Sequence, residues 1–309
     1  MTATSDLVLE RRRVRRSLAL WRIAAILAIL AVIVLALPRT GAGARDDHVA
    51  RITISGVIAS DRERAEAIEK IAEAGRAKAL IVNVNSPGGT VAGSEALYES
   101  LRRVAAEKPV VATMNEVAAS GGYLAAIAAD HVVARHTSLT GSIGVVAQVP
   151  NVSELLDKVG VSVTNVRSAP LKAAPDPVTP TDPAAIEALE ATILDSFAWF
   201  RGIVAERRGL EGPALEAVTD GRVFTGRQAL ENGLVDELGA PRAARAWLES
   251  EHGIGPGLEV VDYRWGQEAL PFPLDRLRDA LGPFWPETGL VGSPGPRLLA
   301  VLVGRRRDS

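Results

Sequence analysis

From Val49 onward, short apolar runs alternate with longer stretches whose apolar residues recur every three or four positions. The runs Ala50 to Ser55, Ala79 to Val84 and Val110 to Met114 are short, rich in β-branched residues and bounded by turn formers, so they read as buried strands. Between and after them, Arg62 to Glu73, Val91 to Ala105 and Gly121 to Ala129 read as helices. The pattern then predicts strands over His131 to Ala134, Ser142 to Val149 and Val161 to Val166, with a helix over Val152 to Val159. A long helix is predicted from Pro183 to Arg208, opened by the cap Asp182 with proline at the first helical position. Thr225 caps a short helix, and Ala240 to Leu248 forms another. This alternation with short connections predicts an α/β fold: a mainly parallel sheet wound by right-handed crossovers, with its ligand beyond the carboxyl ends of the strands.

The N-terminal pattern is different. Residues Leu18 to Leu37 are apolar apart from Arg22, which can snorkel to a headgroup region, so about 20 residues are usable as a span. Arg11, Arg12, Arg13, Arg15 and Arg16 precede the run. Clustered arginines predict a cytoplasmic N-terminus, a single transmembrane helix in the plasma (inner) membrane, and an extracytoplasmic, periplasmic-side body after Pro38. A cleaved signal peptide is the competing reading, since Ala42-Gly43-Ala44 fits a small-residue cleavage site. The expected organisation is a cytoplasmic basic segment (1–17), a membrane anchor (18–38), a linker (39–48), a main domain (49–252) and a tail (253–309) rich in proline, aromatics and arginine. The tail reads either as poorly ordered chain or as an interfacial segment, given Trp265, Phe272, Phe284, Trp285 and the terminal arginines.

Composition removes several function classes. The absence of cysteine excludes disulfides, thiolate catalysis and zinc–thiolate sites. Residues 1–22 hold six arginines against Asp6 and Glu10, so with a formal net charge of −2 the rest of the chain is acidic, which argues against nucleic-acid binding. No two histidines have the helical spacing of a zinc site.

Three segments carry candidate chemistry. Ser120, in Ala118-Ala119-Ser120-Gly121-Gly122-Tyr123, stands between a strand and a helix, where a serine serves either as a nucleophile or as an ordinary helix cap. Asn85-Ser86-Pro87-Gly88-Gly89 ends the preceding strand, and its adjacent glycines expose N–H groups usable as an oxyanion hole. The third segment is Ser168-Ala169-Pro170-Leu171-Lys172-Ala173-Ala174-Pro175. Lys172 is the one of the chain's lysines set among apolar residues and prolines, where loss of water would favour the neutral amine a general base needs. A Ser-His-Asp triad is the rival. However, His48 lies next to the membrane, His252 lies in the C-terminal region, and His131 and His136 fall toward the far end of the helix headed by Ser120.

These segments, with Leu139-Thr140-Gly141-Ser142-Ile143-Gly144-Val145, Gly221-Arg222-Val223-Phe224-Thr225-Gly226-Arg227-Gln228-Ala229 and Gly233-Leu234-Val235-Asp236-Glu237-Leu238-Gly239, occur in an order that resembles the signal peptide peptidase A family. That family comprises membrane-tethered serine proteases with a ClpP/crotonase-like fold, and the resemblance covers about Arg51 to Glu251 in the short, single-repeat form. It implies Ser120 as nucleophile, Lys172 as general base, Gly88 or Gly89 plus Gly121 as oxyanion donors, and Ser142 as the hydroxyl orienting the lysine. It further implies apolar signal-peptide remnants as substrates, with misfolded exported proteins a second class. A homo-oligomeric ring, in which a neighbouring subunit completes the site, is also implied. The dyad needs no metal or cofactor. Two other readings compete: a coenzyme A thioester enzyme of crotonase-like fold, whose glycine turns polarise a thioester carbonyl, and an inactive membrane scaffold.

Overall fold

The computed structural model describes residues 21, 22, 26, 28, 46–239 and 241–265. Most of the predicted membrane anchor and most of the predicted tail lie outside the described residues. Among the described residues, no helix is long and apolar enough to cross a membrane. The compact unit lies within Arg39–Gln267.

Its elements run β1 (His48–Ile58), α1 (Arg62–Glu73), β2 (Ala77–Gly89), α2 (Val91–Glu107), β3 (Val110–Ala119), α3 (Gly121–Ile127), β4 (His131–Ala134), β5 (Leu139–Gly141) and α4 (Ser153–Lys158). They continue with α5 (Pro183–Arg208), α6 (Gly212–Val218), β6 (Val223–Thr225), α7 (Gly226–Glu231), β7 (Glu237–Leu238), α8 (Pro241–His252) and β8 (Glu259–Asp262). One sheet in the order β6-β5-β3-β2-β1-β8 holds them together, and β4 and β7 form a branch from β3. Every pairing is parallel except β5 with β6, as the alternating pattern predicts.

The strands read as nearly continuous apolar runs because both faces are covered. Along β2, Leu80, Val82 and Val84 join the core shared with Ile68, Leu101 and Val204, whereas Ala79 and Ile81 face Ala244 and Leu248 of α8. Successive strand side chains point to opposite faces, which sorts these two sets.

β3 is the branch point that builds the site. Its first half pairs with β4 from Val111 to Met114, and its second half pairs with β5 from Val117 to Ala119. Ser138 fixes the divergence, because its Oγ donates to the carbonyl oxygens of both Met114 (3.1 Å) and Asn115 (2.5 Å). β2 and β3 run past the core, pair Ser86 with Ala118, and bring Gly88 against Ala119 and Ser120 at their carboxyl ends.

Three expectations need correction. Residues 142–149 and 161–166 form no strand, although their apolar pattern predicts one. A strand pattern needs a ladder partner, and among the described residues neither segment has one. In the third case, β8 pairs with β1 from Glu259 to Asp262, so the sheet continues into the segment assigned to the tail.

Candidate active site

Ser120 follows β3 directly and precedes α3. Its backbone has φ 52° and ψ −122°, and its side chain makes no capping hydrogen bond to α3. The cap reading therefore fails, and the hydroxyl is left free. A positive φ for a residue with a Cβ costs on the order of 1–3 kcal/mol and persists only where the surroundings enforce it. Here the enforcement is visible: the Ser120 N–H donates to the Gly141 carbonyl at 2.8 Å, and Thr140 Oγ1 donates to the Ala118 carbonyl at 2.7 Å. β5 thus holds the turn from one side.

The Ser86-Pro87-Gly88-Gly89 turn holds it from the other. Ser86, fully buried, donates from Oγ to the Gly56 carbonyl at 2.6 Å and accepts from the Gly88 N–H at 3.1 Å. Gly88 has φ 103°, and a Cβ there would stand 2.9 Å from Ser120 Cβ and 2.8 Å from the Gly121 nitrogen. Only glycine allows this approach. The Gly88 N–H is engaged by Ser86, which leaves Gly89 and Gly121 of the three glycines that the family resemblance names as donors. Both line a cavity of about 110 Å³ together with Ser120, Ser94, Trp199 and Phe200.

At its far end α3 is capped by arginines. Arg207 donates to the carbonyls of Ile127 (2.9 Å) and Ala129 (2.8 Å), and Arg102 donates to that of Ala128 (2.8 Å). Cations on these carbonyls satisfy the open end of the short helix. Tyr123, fully buried, donates to the Leu234 carbonyl at 3.0 Å, and burial pushes its phenol pKa up.

Ser142 follows Gly141, has φ 50°, is half-buried, and donates from its N–H to the Arg222 carbonyl at 2.8 Å. Lys172 differs from the expectation. It is exposed, and no residue of its loop lines the cavity beside Ser120. The apolar neighbours that suggested a dry amine are themselves exposed, Val166 at 97% and Leu171 at 45%, so within one chain they form no shell around it.

The loop is nonetheless ordered by Asp176. This carboxylate accepts from Thr179 Oγ1 at 2.5 Å, from the N–H groups of Val178 (3.0 Å) and Thr179 (2.9 Å), from Asn165 Nδ2 (3.0 Å), and from the Arg167 guanidinium. These donors, the Thr179 hydroxyl foremost, hold its pKa at about 2. Among the described residues, Ser120, Ser142 and Ala173 are the residues other than glycine with positive φ. All three are predicted site residues or next to one.

Sequence reasoning missed Ser94, Trp199 and Phe200 as cavity residues, because a serine or an aromatic at helical spacing carries no signal of its own. No histidine lines the cavity, which sets the triad aside. A larger open depression of about 710 Å³ runs along the β1–β8 edge beside Arg51, Asp262 and Tyr263, but it contains none of the predicted site residues.

The model of peptidase family S49 matches residues 102–255, a stretch containing Ser120, Ser142 and Lys172. The chain is 39% identical over 216 residues to Putative protease slr0021 of Synechocystis, covering 69% of this chain and 78% of that protein. The chain belongs to peptidase family S49. This S49 chain is also 36% identical over 235 residues to Protease 4 of Salmonella typhi, covering 74% of this chain but 35% of that relative. It is 35% identical over 192 residues to Serine protease SPPA, chloroplastic, of Arabidopsis thaliana, covering 61% of this chain and 28% of that protein. The family makes the protein a serine peptidase of the signal peptide peptidase A type, and the coenzyme A reading falls away.

Proposed function

We propose that this serine peptidase is a membrane-anchored endopeptidase. Ser120 attacks a peptide carbonyl, Lys172 serves as general base, and the N–H groups of Gly89 and Gly121 receive the oxyanion. The observation that carries the reading is the Ser120 turn: a strained backbone whose uncapped hydroxyl opens on a cavity beside two glycines. Neutral Lys172 takes the serine proton as the alkoxide adds to the carbonyl. The ammonium then protonates the leaving amine, and water hydrolyses the acyl-enzyme. Loss of one oxyanion donor typically costs a factor of about 100 to 1,000 in rate.

Lys172 reaches Ser120 of a neighbouring copy in a homo-oligomer. Two facts support this: Lys172 is exposed and away from its own chain's cavity, and the segment that precedes its loop in the chain exposes Leu155, Val159, Val161 and Val166. Apolar side chains exposed in such number suit an interface. Burial against the next subunit would supply the desolvation that favours a neutral amine. Ser142, adjoining the Ser120 turn, orients that amine. The N-terminal apolar segment, predicted to span the membrane from a cytoplasmic start, keeps the site close to signal-peptide remnants on the extracytoplasmic side. Misfolded exported proteins are a second substrate class.

The test is cleavage of a synthetic apolar signal peptide by the detergent-solubilised full chain. Ser120→Ala and Lys172→Ala should each abolish cleavage, and mixing the two inactive chains before reassembly should restore part of it. Mixed oligomers without activity would rule out the shared site. Full activity of either single variant would rule out the dyad.

A further inference from the structure

Ser94 stands in the first turn of α2, is 3% exposed, and lies on the wall of the cavity beside Ser120. Among the described residues its Oγ is the one buried side-chain polar atom without a hydrogen-bond partner. A helical serine has a ready alternative, which is to donate back to the carbonyl four residues earlier. Ser100 in the same helix does so, to Ala96 at 2.8 Å. Ser94 does not: the Thr90 carbonyl receives only the Ser94 N–H, at 3.0 Å. Its hydroxyl turns instead toward Gly121, where an added Cβ would stand 2.1 Å from Oγ. The fold thus holds an unsatisfied hydroxyl against one of the two glycines assigned to the oxyanion. The rest of that cavity wall includes Val91, Leu124, Trp199 and Phe200, together with Ser196, whose hydroxyl is already donated to the Thr192 carbonyl at 3.0 Å.

We propose that Ser94 is a specificity-determining residue: its hydroxyl hydrogen-bonds the side chain of the substrate residue that supplies the scissile carbonyl, favouring serine or threonine there. The inference rests on the Ser120 reading and deepens it. With the carbonyl carbon at Ser120 Oγ and its oxygen toward Gly89 and Gly121, the side chain of the same residue enters the shared cavity. Its volume of about 110 Å³ suits a single small side chain. A polar site group left unpaired by an apolar substrate discriminates against that substrate, and a neutral pair of this kind is worth roughly 3- to 10-fold.

The experiment uses the full detergent-solubilised chain and four peptides identical except at that residue: alanine, serine, valine or threonine. The wild type should cleave the serine peptide faster than the alanine peptide, and the threonine peptide faster than the valine peptide, by about 3- to 10-fold in kcat/KM. Ser94→Ala should bring both ratios to one or below. Ser94→Thr, which retains a hydroxyl, should keep the preference for serine over alanine. Thermal unfolding gives a second readout: removing an unsatisfied buried hydroxyl should raise the Tm of the unliganded Ser94→Ala protein by a few degrees.

Ratios unchanged in Ser94→Ala, or an equal loss on all four peptides, would overturn the proposal, as would a marked fall in Tm. A wild type that cleaves none of the peptides while Ser120 resists acylation would instead remove the Ser120 reading and this inference with it.

Discussion

Arg167 and Asp176 pair across the base of the loop that presents Lys172. The same carboxylate gathers Asn165, Val178 and Thr179, so a loop with little buried apolar surface is held by one polar hub. The exposed base candidate therefore sits on a loop whose backbone is fixed by these bonds.

The hub sets a pH dependence. The Asp176 pKa lies at about 2, below the usual carboxylate range, so its contribution is present above the unfolded value. It is lost as pH falls from about 4 toward the folded value. The Asp176 carboxyl should titrate near that low value by NMR. Loop protection from limited proteolysis should be intact at pH 5 and lost below pH 3. Asp176→Asn should show the acid-like cleavage already at neutral pH.

Gly121 and Ser94 form a steric pair. A Cβ at Gly121 would meet Ser94 Oγ at 2.1 Å and Ser94 Cβ at 2.9 Å. Gly121→Ala should destabilise the fold by about 1–3 kcal/mol through overpacking. It should also displace an oxyanion donor, lowering kcat by about 100-fold or more. Adding Ser94→Gly removes both clashing atoms and should recover much of the stability in a urea titration.

Tyr123 tests the packing behind the site. Tyr123→Phe leaves the buried Leu234 carbonyl without its side-chain donor. The expected loss is about 1–2 kcal/mol in denaturant unfolding. Acylation of Ser120 should persist, because the phenol faces away from the cavity and lines none of it.

How far the sequence disclosed this arrangement depended on range. The caps of α5 and α7 are local, and both formed as read: Asp182 accepts from the Ala184 N–H at 2.9 Å, and Thr225 forms a capping box with Gln228. The strand–helix alternation likewise disclosed the parallel sheet. β5, β6 and β7 are three, three and two residues long, and their pairing is imposed by the divergence of β3, so their own residues carry no periodic signal. The segments 142–149 and 161–166 show the reverse, a strand pattern without a neighbour. The Ser120 turn was legible because glycine-rich turns at strand ends are local features. The surroundings of Lys172 were not, because sequence neighbours that are apolar become a dry environment only when something packs on them.

The proposed mechanism makes Ser120 a nucleophile activated by Lys172. The most direct measurement is acylation of the detergent-solubilised full chain by a fluorophosphonate, with the modified residue located by mass spectrometry. Stoichiometric modification of Ser120 is expected in the wild type and none in Lys172→Ala, with Ser142→Ala slowed. Modification of another serine, or undiminished labelling of Ser120 without Lys172, would contradict it.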